Sequence, residues 1–218
     1  LSDLDANDIT ITGVGIEAGY IAAGAGVNAD VTLNAGTGAI TDNEVGTADV
    51  IAEVLVADAT TGIDLDTTVV SVDATVSGTG NIALDETNAI TLTNVDTVNG
   101  SITITAGGAV VATDVESTSD LDANDISITG VGIQVGLITA GAGANADVIL
   151  NAGTGAITDD EAGTADVIAD ALTADADDGI DLDTTVVSVD ASVTADGVIT
   201  LDETNAITLT NVDTVNGS

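Results

Sequence analysis

The 218-residue chain contains no Lys, Arg, His, Cys, Pro, Met, Trp or Phe, and Tyr20 is its only aromatic residue. Without a cationic side chain it cannot neutralise phosphates, so nucleic acid is excluded as a partner and attraction to anionic membranes is disfavoured. Without cysteine there are no disulfide staples and no thiolate metal sites. The longest apolar stretches, such as GAVVA at 108–112, fall far short of the roughly 18 residues a membrane span requires, and no membrane insertion is expected. Leu1 does not begin a signal peptide, which places any export signal outside this sequence. The lack of Lys and Arg also leaves trypsin no site, a property that suits a protein exposed outside cells.

What is present is acidic and aliphatic. Asp and Glu number 37 and carry all the formal side-chain charge, yet 44% of residues are hydrophobic. Val, Ile and Leu are spread evenly along the chain, which argues for a folded protein rather than a disordered polyanion.

The phrase LDETNAITLTNVDTVNGS occupies residues 84–101 and returns unchanged at 201–218. A shift of 117 positions aligns 1–101 with 118–218 without a gap, and 80 of the 101 pairs are identical. Ile9, Ile16, Leu33, Ile40, Leu55, Ile63, Leu65, Ile82, Leu84 and Leu92 are all retained, as expected of inward-facing residues. Within the long repeat lies a shorter one: DITIT from Asp8, DVTLN from Asp30, GIDLD from Gly62, NIALD from Asn81 and SITIT from Ser101. The first aliphatics of these phrases, through the restart at Ile126, are spaced by 22, 32, 19, 20 and 24 residues.

Period-two alternation with β-branched residues predicts strands, and the Gly, Asn, Asp and Ser clusters between them predict corners. The segment ADVIAEVLVADA at 48–59 is the best helical candidate, although its flanks favour an extended strand or a lateral loop. One turn of about twenty residues buries four or five aliphatics worth roughly 1.5–3 kcal/mol each. Ordering it costs on the order of 30 kcal/mol. A single turn cannot stand alone, so successive turns must complete one another. The expected fold is an all-β, right-handed parallel β-solenoid with rungs of 19–24 residues and five to six rungs per 117-residue repeat. Residues 1–117 form the first long repeat, and 118–218 an incomplete second one in the same continuous stack. Neither end carries a polar or helical cap, which predicts continuation in a longer chain or end-to-end self-association.

The phrases GSITITAGGAVVAT, ADVTLNAGTGAIT and TGIDLDTTVVSVDA resemble the repeats of the filamentous haemagglutinin-like family, very large bacterial surface and secreted adhesins with parallel β-helix shafts. The similarity covers essentially the whole chain and concerns shaft grammar, with no catalytic motif attached. It implies an extracellular or cell-surface location, a role in attachment or fibre formation, and neighbouring fibres or cell-surface glycans as partners. The chain departs from the family's general pattern in having no basic residue and a single aromatic one, so sugar recognition by aromatic stacking has little to rest on.

Stacked carboxylates about 5 Å apart repel one another and favour counterions, and a set of oxygen-only ligands favours calcium. The candidate ligands are Asp3, Asp5, Asn7 and Asp8 in DLDAND, their second copies Asp120, Asp122, Asn124 and Asp125, and the pairs Asp42 with Glu44 and Asp159 with Glu161. DLDAND begins like an EF-hand loop but has Asp8 where that loop needs glycine and Val14 where it needs glutamate. The competing reading is a solvated acidic surface screened by salt, so calcium is an option rather than a required cofactor. For glycoside hydrolysis the obvious pair is Asp85 with Glu86, repeated as Asp202 with Glu203. Adjacent strand residues face opposite ways, and no catalytic residue or enzymatic activity is expected. Thr-x-Thr pairs such as Thr10 and Thr12, or Thr91 and Thr93, suggest an ice-binding face, but Asp64, Asp66 and Ala83 interrupt the array. Asn99-Gly100-Ser101 is a glycosylation sequon and equally a preferred turn pair. The sequence therefore points to a non-catalytic structural segment of an extracellular fibre or adhesin stalk, with calcium-dependent adhesion through acidic loops as the alternative and ice binding as a minor one.

Overall fold

Alternation of aliphatic with small polar residues is realised as strand wherever the sequence shows it. The computed structural model describes residues 7–24, 28–43, 46–141, 145–160 and 163–216. Among them are twenty-one β-strands and no helix, all joined by parallel pairing into one continuous sheet. The sheet coils about nine times, forming a β-solenoid. At about 4.8 Å per coil the stack rises roughly 43 Å.

Two aliphatic ladders run its length. The first passes through Ile9, Val31, Leu55, Val72 and Leu92, and is carried on by the neighbouring register of Ile90, Val110, Ile133, Ile157, Ile180 and Ile199. The second passes through Ile16, Ile40, Ile63, Ile82, Ile102, Ile126, Val148, Leu172, Val189 and Leu209. Their inward side chains meet in a single hydrophobic cluster that spans the molecule. Each coil thus buries one row against the coil below and offers another to the coil above, which is why no coil needs a core of its own.

The spacing of the ladders corrects the reading of the short repeat. Val31 and Ile63, 32 residues apart in sequence, belong to different ladders; the true steps are Val31 to Leu55 and Ile40 to Ile63. The 117-residue unit accordingly contains no whole number of coils. Its second copy is out of phase, so that Ile126, the counterpart of Ile9, stacks on Ile102 in the second ladder, while Ile133, the counterpart of Ile16, continues the first. Identical sequences in the two copies therefore occupy exchanged ladders. The segment at 48–59 is extended, forming the strands Val50–Ile51 and Val54–Ala59; its apolar residues are β-branched or small and alternate inward, and no helical turn is made.

Corners are closed by side chains that satisfy backbone groups of neighbouring coils. Asp8 Oδ1 accepts from the Asp30 N–H at 3.2 Å, and its counterpart Asp125 from Asp147 at 3.0 Å. The buried hydroxyls of Thr97 and Ser117, stacked one above the other, each donate at 2.8 Å to the carbonyls of Gly80 and Gly100. A bulge after Leu92 leaves Thr93 without a partner on the strand below and turns both Leu92 and Val95 inward. At Gly100 the coils approach so closely that an added Cβ would lie 2.0 Å from the Gly80 carbonyl oxygen.

Candidate functional site

Of the DLDAND carboxylates, Asp8, Asp120 and Asp125 act as brackets between coils. Asp3 and Asp5 lie outside the described residues, and Asn7 is exposed. In the second copy Asp120 Oδ1 accepts from the Asn145 and Ala146 N–H groups at 3.1 and 3.3 Å. Asn124 is buried and its Nδ2 donates to Asn99 Oδ1 and the Ser119 carbonyl at 3.0 and 2.8 Å. Asp122 is exposed. Asp120 and Asn124 are engaged with different partners, and among the described residues these carboxylates form no acidic cluster.

The pair Asp85 and Glu86 is split as strand geometry requires. Asp85 faces outward, while Glu86 is buried and locks a corner: its Oε2 accepts from Thr67 Oγ1 and the Val69 N–H, and its Oε1 from the Asn88 N–H, all at 2.9 Å. Burial raises its pKa from the usual carboxylate range, against these bonds, which lower it. A carboxylate whose oxygens are spent on three donors of its own corner has a structural task.

The acidic corner that follows the strand Ile157–Asp159 is different. Asp159 stands at an inward register position, paired with Val135, and Asp160 follows at the surface. Across the corner, Asp166 precedes the strand Val167–Ala176 and is fully buried, with 0% of its surface exposed. Its backbone N–H donates to the Asp183 carbonyl and its Oδ2 accepts the Asp183 N–H, both at 2.7 Å. Its Oδ1 has no hydrogen-bond partner. One carboxylate oxygen from each of Asp159, Asp160 and Asp166 lies within 4.8 Å of the other two, the only such acidic grouping among the described residues. Desolvation, with repulsion from Asp159, Asp183 and Asp160, pushes Asp166 up to about 7.

The first copy has the same corner with one carboxylate changed. Asp49 is likewise fully buried, its Oδ2 accepts the Asp66 N–H at 3.0 Å, and its Oδ1 is unpartnered. Asn43 stands where the second copy has Asp160. Glycines at 19 and 136 make room for these side chains: an added Cβ would lie 2.6 Å from Asn43 Nδ2 and 3.0 Å from Asp160 Oδ2. Of the four carboxylates singled out here from sequence, Asp42 and Asp159 stand at strand ends paired with Ala18 and Val135, while Glu44 and Glu161 lie outside the described residues. Sequence reasoning missed Asp166 and Asp49 because a residue seven positions from Asp159 or Asp42 looks like loop. The available signal was an Asp retained in both copies directly before two β-branched aliphatics, Val and Ile.

The outward face of the second ladder reads Asp64, Ala83, Thr103, Ser127 and Ile149 in successive coils. No continuous threonine row is formed there.

Parallel pairing throughout, coils of about twenty residues and one axial core define the class: the chain is a parallel β-solenoid. No protein family, curated protein or solved structure matches it.

Proposed function

We propose that the chain is a non-catalytic structural segment of an extracellular β-solenoid fibre or adhesin stalk on a bacterial surface, as its resemblance to filamentous haemagglutinin-like shafts implies. The observation that carries this reading is the axial core, which runs unbroken through the coils as a single hydrophobic cluster. Leu33, Leu55, Leu92, Ile126 and Leu150, from successive parts of the stack, are each 0% exposed.

Absence of side-chain cations and reliance on corners rather than long loops suit a spacer whose task is length and resistance to proteolysis. An antibody raised against the chain should label intact cells of the source organism in thin, projecting structures. Labelling that appears only after lysis would refute a surface stalk. Imaging of the isolated material separates the two forms of the proposal: a single giant chain has one fixed length, and an end-to-end polymer has none.

A further inference from the structure

We propose that the corner formed by Asp159, Asp160 and Asp166 is a calcium site, with buried Asp166 as its anchoring ligand. The inference does not depend on the solenoid's being a surface stalk.

Three features of the corner point to a cation. The first is the orphaned Oδ1 of Asp166, at 0% residue exposure. A buried carboxylate oxygen without a donor is costly unless something positive meets it. The second is composition: with no Lys, Arg or His anywhere in the chain, no side chain can supply that charge, which must come from solvent as a proton or a metal ion. The third is size. A Ca²⁺ ion bound at about 2.3–2.6 Å from its ligands holds oxygens up to roughly 4.6–5.2 Å apart across itself. The three oxygens lie within 4.8 Å of one another, inside the span that one such ion bridges. Mg²⁺ demands near-ideal octahedral geometry and dehydrates reluctantly, so a corner of three carboxylates open to water suits the larger ion better.

The ligands differ in how firmly they are held. Asp166 is fixed by its reciprocal bonds with Asp183, and Asp159 by its place at the end of a strand. Asp160 is exposed, its side chain lodged over Gly136, so the site is open to solvent on one side and water completes the coordination. The first copy supplies an internal comparison: the anchor Asp49 and the strand residue Asp42 are retained, but Asn43 replaces the third carboxylate. One calcium ion per chain is therefore expected.

The test is isothermal titration of the chelator-treated 218-residue chain with CaCl2 in about 0.15 M NaCl, where diffuse counterion binding is screened. The expected result is one saturable site, bound at least tenfold more tightly than Mg²⁺. D160N should weaken it tenfold or more, and D166N should abolish it. Because D166N alters a buried residue, D160N, at the surface, serves as the variant that leaves the fold intact, with circular dichroism as the check. N43D should raise the stoichiometry from one to two. Non-saturating uptake by the unmodified chain, or equal affinity in D160N, would overturn the site and leave a proton on Asp166 as the neutralising charge. A stoichiometry that stays at one in N43D would overturn the assignment of the third carboxylate as what distinguishes the two corners.

Discussion

Because LDETNAITLTNVDTVNGS occurs twice, one substitution can be made in the same local sequence at two depths of the stack. Leu92 is fully buried between Val72 and Ala112, with coils on both sides. Leu209 pairs with Val189 on one side only and is 58% exposed. Truncating a fully buried leucine removes its transfer free energy and leaves a cavity that rigid flanking coils cannot close, for a cost of about 3–5 kcal/mol. Truncating the exposed one forfeits at most a partial transfer term, about 1 kcal/mol or less. Urea denaturation of Leu92→Ala and Leu209→Ala, followed by circular dichroism, measures the difference. With a slope of about 1–3 kcal/mol per molar urea, the buried truncation should lower the midpoint by at least about 1 M, and the exposed one by a few tenths. A loss below about 1 kcal/mol for Leu92→Ala would refute an axial core, since the local sequence, and with it the intrinsic strand propensity, is the same at the two positions.

Further outcomes follow from the corners. Burial pushes Asp49 up to about 6 and raises Glu86, so these two groups hold more protons in the folded chain than in the unfolded one between the ordinary carboxylate range and about pH 6. Stability should therefore rise as pH falls through that window and be lost as pH climbs back through it. After discounting for solvent screening, Asp49 contributes about 1–2 kcal/mol, read as a higher melting temperature at pH 5 than at pH 7.5 in chelator and constant salt. A melting temperature that drops on that acidification contradicts the burial of these groups. Glu86→Ala should cost about 2–4 kcal/mol, because it strands the Thr67, Val69 and Asn88 donors at once; a cost near zero in chemical denaturation would remove Glu86 from its corner role. Gly100→Ala should lower the melting temperature sharply, since its Cβ would lie 2.0 Å from the Gly80 oxygen and force two coils apart. An unchanged melting curve would mean that the coils are spaced more widely there.

The parts of the fold legible in sequence were those governed by period. Ile63, Leu65, Ile82, Leu84, Ile102 and Ile104 alternate with polar residues in phrases of nearly constant spacing, and they stack as that spacing requires. What the letters could not convey was phase. Val31 and Ile63 look equivalent because each opens an aliphatic phrase, and only the pairing reveals two ladders and a repeat that slips between them. The acidic corner was half legible. Asp42 and Asp159 stood out through neighbouring carboxylates, whereas Asp49 and Asp166 acquire their environment from a corner that folds back on itself. Their charge is conspicuous in sequence; their burial is a property of the coil.

The exchange of ladders between the two copies has a geometric result for any array that continues the same repeat. Each unit hands its acidic corner to the flank opposite the one its predecessor used, so Asp49 and Asp166 do not line up along one edge. Equivalent surfaces would return in the same orientation only at every second unit, giving the rod two like sides with features staggered between them. Neighbours could then grip such a rod from either side without having to turn it.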